Sequence, residues 1–77
     1  VDVGAKIEIY DLINEVAKKG VGVVAISSDM PEIMGISDRI LVMHEGTVYG
    51  ELAKEEFSEE NILRLSIGEP LKKVSFN

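Results

Sequence analysis

Two hydroxyls and a carboxylate, Ser27, Ser28 and Asp29, stand directly after the apolar run of residues 21–26. A run of that kind, without polar alternation, predicts a strand buried on both faces, as in a parallel sheet held between helices. Side chains at the carboxyl end of such a strand emerge where α/β proteins place their ligands. If the chain does chemistry, the sequence puts it there. A plainer role competes: short polar side chains between a strand and a helix also cap the helix through its unpaired N–H groups.

Other chemistries find less support. No G-x-S-x-G is present, and His44, the one histidine, falls on a different predicted strand, so no Ser-His-Asp triad assembles. A small hydrolase-like enzyme would lack both nucleophile context and base. One histidine, no cysteine and no spaced acidic ligands make a poor metal site, and Glu55-Glu56 and Glu59-Glu60 read as a solvated helix start. Gly20-Val21-Gly22 does not satisfy G-x-x-x-x-G-K-[ST]. A phosphate cradle needs backbone N–H groups and a lysine at fixed spacing, so the chain is expected to hold no nucleotide tightly.

The 77 residues suffice for one small domain with a modest core. With 14 acidic against 8 basic residues the net charge is −6, and Lys18-Lys19 and Lys72-Lys73 are isolated pairs, which argues against a nucleic-acid partner. The longest apolar run is far short of the ~20 residues that span a bilayer. Absence of cysteine fits a reducing compartment. The chain begins Val1-Asp2-Val3-Gly4 rather than with Met, which reads as a fragment.

The elements that must position the polar trio follow from periodicity. Residues 3–19 carry Ile9, Leu12, Ile13, Val16 and Ala17 at steps of three and four, with Ile7 and Tyr10 flanking, the stripe of an amphipathic helix. Asp2 is its N-cap candidate, Lys18-Lys19 suit its negative end, and Gly20 its left-handed stop. Asp29-Met30-Pro31-Glu32 resembles a capping box opening a short helix over residues 30–34, ended by Gly35. Residues 39–44 and 47–52 predict an antiparallel hairpin around Glu45-Gly46, with Asp38-Arg39 as an ion pair at its base. Ser58 caps a last helix with Ile62, Leu63, Leu65 and Ile67 as its apolar face, stapled by Phe57 and ended by Gly68 and Pro70. From residue 71 onward no periodicity remains, the pattern of a loose tail. The fold class read from these elements is α/β, in the order helix, strand, short helix, β-hairpin, helix.

Two ordered blocks, V-D-V-G-A-K-x-E-I-Y-x-L-I and I-S-S-x-M-P-E-I-x-G-x-S-D-R-I-L-V-M-x-E-G, resemble the ATP-binding subunit of bacterial ABC importers for monosaccharides. The nearest likeness is to the second cassette of the tandem-cassette type serving ribose, galactose or xylose. The resemblance covers residues 1–68, which would be the C-terminal part of an ABC ATPase (P-loop NTPase) catalytic domain, with 69–77 its tail. It implies that Asp2 is the D-loop aspartate, which communicates across the cassette dimer. It also implies that Ser28 stands where most such ATPases carry the switch histidine. The phosphate-binding loop, Q-loop, signature motif and Walker B strand are absent from the 77 residues.

What the resemblance implies for function is ATP hydrolysis, with Mg2+, energising uptake of a ribose-like sugar. The parent subunit would dock on a membrane permease and a second cassette at the cytoplasmic face of the inner membrane. The isolated chain is expected to be inactive. A competing expectation is a small non-catalytic module that self-associates, because an orphaned parallel strand exposes unpaired N–H and C=O groups to another copy.

Overall fold

A chain reversal at Glu45-Gly46 sets the architecture. Both residues take positive φ, 48° and 76°, the type I′ geometry whose twist suits a tight antiparallel hairpin. The computed structural model describes residues 3–71. In order they form α1 (Val3–Lys18), α2 (Met30–Ile36), β1 (Arg39–His44), β2 (Thr47–Ala53), a 3-10 turn (Lys54–Glu56) and α3 (Glu59–Ser66). The hairpin pairs Arg39 with Ala53 at its base and His44 with Thr47 at its tip. Val42 faces Gly50 and Met43 faces Val48, so Tyr49 is the extra residue of a bulge.

One face of this hairpin carries the core. Ile40 and Val42 alternate inward along β1, and Leu52 of β2 and Leu65 of α3 complete the buried set. Gly50 makes room for α3: a Cβ there would lie 2.8 Å from Leu65 Cδ2. Ile33, Met34, Phe57, Ile62 and Leu71 pack around this centre. Helix α3 is held at both ends. Ser58 Oγ accepts the Asn61 N–H at 3.0 Å, satisfying one of the orphan donors of the first turn. At the other end Gly68, at φ 83°, lets its own N–H reach Leu65 O and the Glu69 N–H reach Arg64 O, a Schellman closure. Gly20 closes α1 in the same way, with its N–H on Ala17 O and the Val21 N–H on Val16 O.

The α/β class holds as three helices and a two-stranded antiparallel sheet, but several expectations are corrected. Residues 21–26 form no strand. They run as an unpaired connection from α1 to α2, with Val24 90% and Ile26 96% exposed. A strand persists only where a neighbour takes up its backbone hydrogen bonds, and among the described residues β1 and β2 pair only with each other. The same want of a sheet leaves Ile7, Ile9 and Leu12 exposed on α1, with only Tyr10, Ile13 and Val16 of the stripe half-buried. Helix α2 runs through Gly35 to Ile36, since that glycine adopts no positive φ to stop it. On α3, Leu65 points inward while Leu63 and Ile67 face water. Arg39 pairs across the hairpin with Glu51 at 2.9 Å in place of Asp38. Leu71 belongs to the packed set and not to a loose end.

The contrast between neighbouring leucines is measurable by urea unfolding. Leu65→Ala should lower stability by about 2–4 kcal/mol, the scale of a buried large-to-small change. Leu63→Ala should cost less than about 1 kcal/mol, as surface changes do. Equal losses would contradict the orientation of α3.

Candidate functional site

Helix α2 begins on the polar trio. Asp29 sits in extended backbone as the N-cap, and its Oδ1 accepts the Glu32 N–H at 3.0 Å. Pro31 in the first turn removes a donor that would have no helical partner. Ser27 Oγ accepts the Asp29 N–H at 3.0 Å, which draws residues 27–29 into a tight turn. Ser28 is the middle residue of that turn. It is exposed, and its hydroxyl has no hydrogen-bond partner among the described residues. Asp2, the other residue singled out by the resemblance, lies outside the described residues.

The capping box is only half made. In its complete form the third helical residue reaches back to the cap N–H. Here that N–H is already taken by Ser27, and the Glu32 carboxylate turns instead toward α1. Tyr10 Oη donates to Glu32 Oε2 at 2.6 Å, a short bond of the kind that charged acceptors make. Lys6 Nζ lies 3.4 Å from the same oxygen, with the Glu32 side chain 21% exposed. Lys6 and Tyr10 are one turn apart on α1, so a single helix face brings both to the carboxylate.

The electrostatics agree with this geometry. The bond to Tyr10 holds the Glu32 carboxyl below the usual glutamate range, against the opposing effect of partial burial and with help from Ser27 and Lys6. The Tyr10 phenol is pushed up to about 12, first by its bond to Glu32, then by partial removal from water and by the charges of Glu32 and Asp29. A lowered carboxyl contributes stability above its unfolded pKa, and that contribution is lost as pH falls through the folded value. A raised phenol contributes below its unfolded pKa of 10, and the gain disappears as pH rises through about 12.

A second polar cluster lies at the tip of the hairpin. His44 Nδ1 is 3.0 Å from Ser66 O, the ring meets Tyr49 edge-on with centroids 5.8 Å apart, and Nε2 is 3.9 Å from Glu45. His44 therefore ties the last turn of α3 to the sheet and is not a bare surface residue. Neither cluster is a cation site: among the described residues no three His, Cys, Asp or Glu side chains converge to hold a metal. Nor do they form a phosphate cradle. The start of α2 is already occupied by the Asp29 carboxylate, and Lys6 is engaged with Glu32. Ser28 is left as an exposed hydroxyl able to donate one hydrogen bond.

Sequence patterning placed Ser27, Ser28, Asp29 and Glu32 together, and it missed the partnership of Glu32 with Tyr10 and Lys6. The only signal for it is the i, i+4 spacing of Lys6 and Tyr10, of which amphipathicity places Tyr10 alone, at a flank of the apolar stripe. No described helix is long and apolar enough to cross a membrane.

Comparison with known proteins gives sequence relatives only. No protein-family model matches the chain, and no solved structure does. Over 68 residues, 88% of the chain, it is 57% identical to a ribose import ATP-binding protein RbsA of Streptococcus agalactiae and 59% identical to that of Lactococcus lactis. It is 55% identical over 69 residues, 90% of the chain, to a putative ribose/galactose/methyl galactoside import ATP-binding protein of Geobacillus kaustophilus. The chain spans 14% of the length of these relatives.

Spectrophotometric titration of the phenols tests the Tyr10 contact. One of the two tyrosines should ionise only near pH 12, and Glu32→Gln should bring it back toward 10. A Glu32→Gln titration superimposable on that of the unsubstituted chain would refute the contact.

Proposed function

We propose that the chain is the C-terminal part of the second cassette of an ATP-hydrolysing subunit that energises import of a ribose-like sugar through an ABC transporter. The carrying observation is the high identity, across nearly the whole chain, with import ATP-binding proteins of ribose type. Residues 1–68 would close the catalytic domain and 69–77 would follow it as a tail. Asp2 is assigned to the D-loop and Ser28 to the position of the switch histidine. A hydroxyl donates one hydrogen bond where an imidazole both donates and shuttles a proton, so Ser28 serves as an aligning contact and not as a base.

ATP and Mg2+ would be held by parts of the subunit other than the described residues, in keeping with a capped α2 and an engaged Lys6. The partners are a membrane permease and a second cassette, and the place is the cytoplasmic face of the inner membrane. On this reading the 77 residues alone neither bind nor hydrolyse nucleotide. Isothermal calorimetry should show ATP binding by the full-length subunit and none at micromolar concentration by the 77-residue chain. Micromolar binding by the short chain would overturn the assignment.

A second reading, a non-catalytic module that pairs with its own copy, is favoured by one observation. Residues 21–26 expose Val21, Val23, Val24 and Ile26 together on a backbone outside any ladder, a template for strand addition. Sedimentation of the isolated chain should then show mass rising with concentration; a monomer at every concentration removes this reading.

A further inference from the structure

We propose that Tyr10 is a positioning residue for Ser28: by holding the Glu32 carboxylate it fixes the turn that presents the Ser28 hydroxyl. This rests on the assignment of Ser28 to the nucleotide-facing position.

One continuous set of bonds leads from α1 to the turn. Tyr10 Oη reaches Glu32 Oε2 at 2.6 Å, the Glu32 N–H reaches Asp29 Oδ1 at 3.0 Å, and the Asp29 N–H reaches Ser27 Oγ at 3.0 Å. Ser28 lies inside that set, flanked on both sides by residues whose polar groups are committed. Its own hydroxyl is left over and exposed. Capping by itself would satisfy α2 without any of this. A complete capping box would turn Glu32 back onto the Asp29 N–H and leave α1 unattached. Because Ser27 has taken that N–H, Glu32 is released to cross to a helix 22 residues away.

Helix α1 has little else to locate it. Ile7, Ile9 and Leu12 are each more than half exposed, and among the described residues Tyr10 and Lys6 tie the helix to α2 through Glu32. Lys6 alone would leave the angle open, since an ammonium on a four-carbon stem is a point charge with weak directional demand. The phenol supplies direction. Movement of α1, the helix that directly follows Asp2 in the chain, is thereby transmitted to the turn around Ser28.

The test uses the full-length subunit with Tyr10→Phe, Glu32→Gln and both together. Tyr10→Phe keeps the ring and deletes one oxygen. Turnover of ATP should fall about tenfold in either single variant, the scale of one hydrogen bond to a charged group, with KM for ATP unchanged. The double variant should be no slower than Glu32→Gln alone, since that change already weakens the bond that Tyr10→Phe deletes and cuts the Lys6 ion pair as well. Hydrogen exchange of the residue 28–32 amides should quicken in Tyr10→Phe. Unchanged turnover in Tyr10→Phe overturns the proposal. So do losses that multiply in the double variant, or a fall in turnover that comes with raised KM and a lowered thermal midpoint. If Glu32→Gln does not fold, Tyr10→Phe decides alone. A wild-type subunit that hydrolyses no ATP sinks the functional reading and this proposal with it; an active wild type matched by an equally active Tyr10→Phe sinks only the proposal.

Discussion

The seating of Leu65 against the hairpin is the contact on which the rest of the described fold depends. A two-stranded sheet has no stability of its own to lend, and a helix of eight residues is marginal in water. Each becomes persistent only by covering the other. Gly50 sets how deeply the helix can sink, and Ile40, Val42 and Leu52 supply the surface it sinks onto. The flanking devices are all arranged to hold α3 at that depth: the Ser58 cap, the Schellman closure at Gly68 and the bond from His44 to the last turn.

Against that anchored half, α1 and residues 21–26 stand in contrast. Their apolar side chains are as numerous as those of the core, yet they remain largely in water. Hydrophobic burial is a property of pairs of surfaces, and a sequence advertises only one member of each pair. The two polar links to Glu32 do for α1 what packing does for α3, with direction in place of area.

Local signals were therefore legible and relational ones were not. Ser58 and Asp29 as caps, Gly20 as a left-handed stop, Gly68 as the end of α3 and Glu45-Gly46 as a hairpin turn each depend on a few adjacent residues, and the fold carries each of them. The apolar run after Gly20 has the composition of an interior strand, but ladder partners are not encoded in the run. Glu32 shows the same limit on the polar side. Its spacing from Asp29 matched a capping box, and only the folded arrangement reveals that Ser27 took the cap N–H and sent the carboxylate to Tyr10. Leu63 and Leu65 were both placed on one face because a helix of two turns leaves the stripe's centre undetermined by a residue or so.

The meeting of Gly68 with His44 carries a consequence for how this chain can vary. Position 68 is closed to side chains twice over: its φ of 83° disfavours any Cβ, and one placed there would lie 2.7 Å from His44 Nε2. The first barrier belongs to the backbone and is the same in every sequence background. The second depends on what occupies position 44. Residues 44 and 68 thus form an epistatic pair, in which a smaller residue at 44 lifts only the second barrier, at the cost of the tie to Ser66, and leaves the backbone barrier that asparagine bears more readily than alanine. Drift at either position is contingent on the other, although they are separated by the whole of β2 and α3.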